Sequence, residues 1–92
     1  MVSRHATVTN ALGLHARAAA RFVHAATQFE SQVRLSKGER TIDGKSIMGI
    51  LLLAASRGTT LIITADGPDE EEAVRTLGAL LETGLGEEPC SA

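Results

Sequence analysis

The sequence predicts an α+β domain: an open-faced, two-layer sandwich in which three helices cover one face of a four-stranded antiparallel sheet. Two observations predict it. Strand-like and helix-like segments follow one another in the order β-α-β-β-α-β-α, and a hairpin turn at residues 37–39 joins the second and third strands. The chain has 92 residues, of which 43% are hydrophobic and 22% are charged, so we expect one small domain and not two.

The strands are predicted from alternation and from residues that favour extended backbone. Val33 and Leu35 alternate with Arg34 and Ser36, which is typical of a strand with one buried face. The first strand ends in Thr and Val, and the last strand is rich in Thr and Ile. The predicted strands span residues 2–8, 32–37, 40–43 and 59–65.

The helices are predicted from apolar residues spaced three and four apart. Ser46 is a good N-cap for a short helix over residues 47–54, and Asp69 opens the last helix with Glu72 as its capping-box partner. The first helix is predicted over residues 15–29, with a buried stripe formed by Ala16, Ala19, Ala20, Val23 and Ala26. The stripe of the last helix is Ala73, Val74, Leu77, Leu80 and Leu81. We expect residues 84–92 to form a loose tail.

Composition argues against several kinds of site. The single cysteine, Cys90, cannot form an internal disulfide. Together with three dispersed histidines it does not provide the ligands of a four-ligand zinc site. We therefore expect no metal and no cofactor. The longest apolar run, residues 50–55, is too short to cross a membrane, and the N-terminus lacks a signal-peptide core. We therefore expect a cytoplasmic protein without membrane insertion. The absence of Trp and Tyr, together with sparse Lys, disfavours nucleic-acid binding.

Charge is divided unevenly along the chain. Residues 1–60 contain eight Lys or Arg and three Asp or Glu, whereas residues 61–92 contain one Arg and eight Asp or Glu. Two interpretations stay open. Either the basic part is a docking face for an anionic partner, or the acids serve a helix start and the arginines are solvated surface.

The segment from Gly13 to Arg17 brings together groups suited to phosphoryl chemistry. A glycine loop delivers His15 to the start of the first helix, where backbone N–H groups have no intrahelical acceptor. A phosphoryl group on this imidazole would meet those donors and the positive end of the helix dipole. Arg17 would add a charge-assisted hydrogen bond, and Arg21 follows one helical turn later. The alternative is that these are polar surface residues with no such role.

Residues 12–19, LGLHARAA, resemble the active-site signature of the HPr family, the phosphocarriers of the bacterial phosphoenolpyruvate-dependent sugar phosphotransferase system. Residues 45–49, KSIMG, resemble the regulatory serine segment of that family, and residues 84–87, GLGE, are similar to its ending. The resemblance spans residues 4–88 with the same order of elements. It implies a phosphocarrier domain over residues 1–88 and a flexible tail over residues 89–92.

The resemblance implies a phosphoryl relay rather than an enzyme. Enzyme I, charged from phosphoenolpyruvate, would transfer its phosphoryl group to Nδ1 of His15, where Arg17 would steady the oxygens. An enzyme IIA domain would then accept the group. The nitrogen-type branch of the same system, with a purely regulatory output, would use the same histidine and stays an alternative. A binding module in which His15 is never phosphorylated is disfavoured because the histidine is retained. The family suggests a monomer.

The resemblance also implies a second modified residue, and the apolar residues after it suggest a docking surface. Ser46 would be the target of HPr kinase/phosphorylase, although from spacing alone it is only a helix cap. Arg21, Ile47 and Met48 are expected to contact partners, with a core position as the alternative for Ile47 and Met48. Ala18 stands where the family usually has proline, and we expect the carrier role to survive with an altered transfer rate.

Overall fold

The computed structural model describes residues 1–85 and confirms the predicted order of elements. The strands are β1 (Val2–Thr7), β2 (Gln32–Lys37), β3 (Arg40–Asp43) and β4 (Thr60–Asp66). The helices are α1 (Ala16–Ala26), α2 (Ile47–Leu53) and α3 (Glu70–Glu82). The predicted bounds agree within one residue, except that α1 ends earlier than expected. After α1 the backbone continues with hydrogen bonds between residues three apart, as in a 3₁₀ turn: the N–H groups of Gln28 and Phe29 donate to the carbonyls of Ala25 and Ala26.

The four strands form one antiparallel sheet in the order β1-β4-β2-β3. Ala6 lies opposite Leu61, and Leu35 lies opposite Ile63; all four side chains are buried beneath the helices. Alternate positions point to the other face, where Ser3 and Thr64 pair through their hydroxyl oxygens at 3.1 Å. The predicted α+β class, with one covered face and one polar face, is confirmed.

The buried stripe of α1 differs from the predicted one. Ala18, Ala19, Phe22 and Ala26 are buried, whereas Ala16 and Ala20 are exposed. The helix is rotated so that Phe22 faces the core, because burying a large aromatic side chain contributes more free energy than burying a methyl group. The pattern of alanines alone does not reveal this rotation.

The start of α3 corrects the predicted capping box. Asp69 makes no side-chain bond to its own helix. Its carboxylate instead accepts hydrogen bonds from the backbone N–H groups of Glu30 and Ser31, each at 2.9 Å, and from the Ser31 hydroxyl. The carboxylate of Glu70, and not that of Glu72, accepts the Gly67 N–H at 3.1 Å. Asp69 therefore joins α3 to the loop between α1 and β2.

The prediction of a loose tail from residue 84 onward is wrong for its first two residues. Leu85 is fully buried, and its N–H donates to the carbonyl of Leu80 at 2.8 Å. The Leu85 carbonyl accepts a hydrogen bond from the guanidinium of Arg21 at 3.1 Å. A leucine that fills the core beneath α1 and α3 explains why the chain stays packed here. The predicted tail over residues 89–92 lies outside the described residues.

Candidate phosphorylation site

His15 lies at the entrance to α1, as the sequence predicts. Its backbone is extended, with φ of −77° and ψ of −179°, and its carbonyl accepts the first helical hydrogen bond from Ala19 at 2.8 Å. The His15 side chain is half-buried. Gly13, with φ of +68°, makes the turn that leads into it, and the Asn10 side chain donates to the Gly13 carbonyl. The histidine is thus held at a helix start and outside the core.

The first turn of α1 supplies backbone donors and one cationic residue close to His15 in sequence. The N–H groups of Ala16, Arg17 and Ala18 precede the first intrahelical bond, so the helix gives them no acceptor. The Arg17 side chain is exposed two residues after the histidine. Backbone N–H groups and a guanidinium are both good donors to phosphoryl oxygens, and the helix dipole favours negative charge at the same place. This end of α1 is therefore suited to hold an anionic group.

The loop before His15 packs closely on the segment that follows α2. The Leu14 N–H donates to the Ala55 carbonyl at 2.9 Å, and a Cβ atom at Gly13 would lie only 2.5 Å from the same oxygen. The structure therefore brings the His15 loop and α2 together, although they are far apart in sequence.

Ser46 is the N-cap of α2, and this prediction is confirmed. Its hydroxyl oxygen accepts the Gly49 N–H at 3.1 Å, and its own backbone is extended, with φ of −117°. The neighbouring carboxylate of Asp43 accepts the N–H of Lys45 at 2.9 Å. The Ser46 side chain is half-buried, so the hydroxyl serves the fold in its unmodified state.

The structure places Ile47 and Met48 on the surface rather than in the core. They are 41% and 68% exposed, while Ile50 and Leu53 supply the buried side of α2. Leu52, at 63%, follows Met48 by one helical turn, so the two share a face. We call Ile47, Met48 and Leu52 the exposed face of α2.

Sequence reasoning did not single out Leu52, and it also missed Leu12, which is 77% exposed in the loop before His15. The signal for Leu52 was its four-residue spacing from Met48, and the signal for Leu12 was its closeness to His15 in the sequence. A contiguous exposed apolar patch, such as the one that Met48 and Leu52 form on α2, is typical of a contact surface.

Arg21 and Glu70 make contacts within the fold, and His24 lies apart from His15. Arg21 is bonded to the Leu85 carbonyl, so its guanidinium joins α1 to the end of α3. Glu70 contacts the N-terminal amino group at 2.9 Å, and hydrogen bonding by that amino group lowers the pKa of the Glu70 carboxyl. Asp69 and Glu70 at the start of α3 thus have structural partners, which favours the second interpretation of the charge asymmetry for these two acids. His24 is exposed on α1, half a turn round the helix from His15.

Comparison with known proteins decides the family. The chain matches the family model "PTS HPr component phosphorylation site" over residues 2–83. The chain belongs to the HPr family. It is 48% identical to the phosphocarrier protein HPr of Cupriavidus necator, a match that covers 95% of this chain and 98% of the relative. It is 44% identical to HPr of Neisseria meningitidis serogroup B, with the same coverage of both chains.

Solved HPr structures share the fold. The crystal structure of HPr-C-His from Thermoanaerobacter tengcongensis has a TM-score of 0.91 and 43% identity, covering 97% of this chain and 100% of that one. HPr from Bacillus anthracis has a TM-score of 0.84 and 40% identity, covering 87% and 95%. An HPr dimer from Thermoanaerobacter tengcongensis, with a TM-score of 0.74 and 45% identity over 87% and 92% of the chains, is also similar. The predicted monomer stays a prediction.

Ala18 gives this HPr-family chain a buried methyl group in the first turn of α1. Since the Ala18 N–H precedes the first helical bond, the structure does not require a donor at this position. Within residues 1–85, no helix combines the length and apolarity needed to cross a membrane, and no three metal-ligating side chains form a group.

Proposed function

We propose that this phosphocarrier accepts a phosphoryl group on His15 from enzyme I and passes it to an enzyme IIA domain, in the cytoplasm. The observation that carries the proposal is the position of His15 at the start of α1, two residues before Arg17 and inside the segment matched by the family model. The protein carries the group and turns over no substrate by itself.

Each transfer exchanges one phosphorus–nitrogen bond for another. A neutral ring nitrogen of His15, by family precedent Nδ1, attacks the phosphorus of phosphorylated enzyme I; the new bond forms as the bond to the donor breaks. Arg17 and the first-turn N–H groups hold the phosphoryl oxygens through charge-assisted hydrogen bonds. In the second transfer a histidine of the enzyme IIA domain attacks the phosphorus, and the bond to His15 breaks as the new phosphorus–nitrogen bond forms.

Labelling with phosphoenolpyruvate and a bacterial enzyme I tests the proposal. We expect one acid-labile phosphoryl group on the wild-type protein and none on His15→Ala. His24→Ala is the matched control, because it removes an exposed imidazole from α1 and should leave labelling intact. Label on both variants, or acid-stable label on the wild type, would contradict the proposal.

The acceptor distinguishes the sugar branch from the nitrogen-type branch. Labelled protein is mixed with a sugar-specific enzyme IIA domain and, separately, with a nitrogen-type IIA domain. We propose the sugar branch, so faster loss of label to the sugar-specific domain is the expected result. Faster loss to the other domain favours the purely regulatory alternative.

We further propose that phosphorylation of Ser46 regulates this relay and that the exposed face of α2 contacts the partners, together with Arg21. A phosphate adds about −1.5 to −2 charges at the helix start. Support comes from the half-buried Ser46 at the N-cap of α2 and from the exposed apolar residues that follow it. The added charge would repel an acidic partner that docks on this helix.

A further inference from the structure

The short helix α2 is held at its C-terminal end by two cations from the β2–β3 hairpin. A seven-residue helix has little stability of its own, and its last carbonyls lack helical donors. The Leu52 carbonyl accepts a hydrogen bond from the Arg40 guanidinium at 2.7 Å. The ammonium group of Lys37 lies 3.2 Å from the Leu53 carbonyl and 3.3 Å from that of Ala54. Lys37 and Arg40 are directly paired across the hairpin, so both cations come from the same turn.

The backbone at this end of α2 is in an unusual conformation. Ala54 has φ of +52° and ψ of +41°, a left-handed conformation that is usually taken by glycine. Its N–H closes the helix on the Leu51 carbonyl at 3.1 Å. The next carbonyl, that of Ala55, accepts the Leu14 N–H from the His15 loop. The Lys37 bond to Ala54 therefore stabilises the segment against which the His15 loop is packed.

We propose that Lys37 and Arg40 are positioning residues, which fix the exposed face of α2 relative to His15 for the partners of phosphoryl transfer. They touch no reacting atom. They act through the last carbonyls of α2, where positive charge also complements the helix dipole. The inference rests on the proposed function, because it assumes that partners dock on α2 next to the phosphorylated histidine.

The test compares Lys37→Met with Arg40→Met and the double variant Lys37→Met/Arg40→Met, by amide hydrogen exchange and by steady-state labelling with enzyme I. In the double variant we expect the α2 amides to exchange at least about fivefold faster, since both capping cations are lost. The KM for this protein in labelling should rise about fivefold, with kcat unchanged. Lys37→Arg retains a cation, so both measurements should stay close to those of the wild type.

Arg34→Met is the matched control. It removes a cation from the same hairpin, and the Arg34 side chain is exposed on β2 and makes no hydrogen bond or ion pair within residues 1–85. We expect it to change neither measurement. If the KM of Arg34→Met rose as much as that of the double variant, general charge attraction would explain the result and the inference would be overturned. The inference would also be overturned if the double variant showed faster exchange with an unchanged KM. If the wild type itself is not labelled, the proposed function fails; if it is labelled and the double variant behaves identically, only this inference fails.

Discussion

The Leu14 N–H donates a 2.9 Å hydrogen bond to the Ala55 carbonyl, and so ties the residue before His15 to the segment that leaves α2. The start of α1, which carries His15, is thus joined to the C-terminal end of α2, the end opposite Ser46. Gly13 allows this approach, because the space where its Cβ would lie is occupied by backbone atoms of Ala55 and Ser56. The geometry of His15 therefore depends on residues about forty positions further along the chain.

Gly13→Ala should strain this contact and displace His15. A Cβ at this position would meet the Ala55 oxygen at 2.5 Å and the Ser56 Cα at 2.8 Å, with φ of +68°. We expect a loss of about 2 kcal/mol or more in the free energy of unfolding, measured by urea denaturation, and slower labelling by enzyme I.

Gly38→Ala separates the two causes of that loss. Gly38 has φ of +59°, yet nothing lies within 4 Å of its Cβ position. We expect about 1 kcal/mol of destabilisation from the backbone conformation alone. If Gly13→Ala were as stable as Gly38→Ala, the close contact with Ala55 would cost no stability, and the prediction for Gly13→Ala would be wrong.

Ser46 variants should separate the capping role from the effect of charge. Ser46→Ala removes the acceptor of the Gly49 N–H and should lower the free energy of unfolding by about 1 kcal/mol. Ser46→Asp keeps an acceptor and adds a negative charge at the helix start, so stability should be retained while enzyme I-dependent labelling slows. Ser3→Asp, which adds the same charge at an exposed position on β1, is the control. Unchanged labelling of Ser46→Asp would count against regulation at this residue.

Ala18→Pro should fold and remain a phosphocarrier. Proline is tolerated in the first turn of a helix, and the Ala18 N–H precedes the first helical bond, so no intrahelical donor is lost. We expect thermal unfolding to show little change and labelling kinetics to show an altered rate rather than a new activity. Restoration of labelling by Ala18→Pro in an otherwise inert wild-type protein would refute our expectation that the carrier role survives with alanine here.

The parts of this fold that depend on neighbouring residues were predictable. The alternation of Val33 and Leu35 and the turn at residues 37–39 define the hairpin, and Ser46 defines the start of α2. His15 at the start of α1 follows from the glycine loop and the helical pattern after it. These features depend on backbone geometry and capping within a few residues.

The parts that depend on distant contacts were not predictable. The rotation of α1 is set by how Phe22 fits the core, and the burial of Leu85 requires α1 and α3 to be in place. The Leu14–Ala55 hydrogen bond and the cations that cap α2 likewise join segments with no shared local pattern. His15, Arg17 and Ser46 could therefore be identified from the sequence, but the distant contacts that hold their helices in place could not.

Asp69→Asn should lower the free energy of unfolding at neutral pH and make that free energy less dependent on pH in the acid range. The pKa of Asp69 is lowered from its ordinary value of 3.8, because the Ser31 hydroxyl and the Glu30 N–H donate hydrogen bonds to the ionised carboxylate. A carboxyl pKa lowered by folding adds stability above the unfolded-state pKa, and this is lost as pH falls through the folded-state pKa. Urea midpoints measured down to about pH 3 should therefore fall more steeply for the wild type than for Asp69→Asn. Glu39→Gln, which removes an exposed carboxylate from the hairpin turn, is the matched control, and equal slopes for the two variants would contradict the assignment.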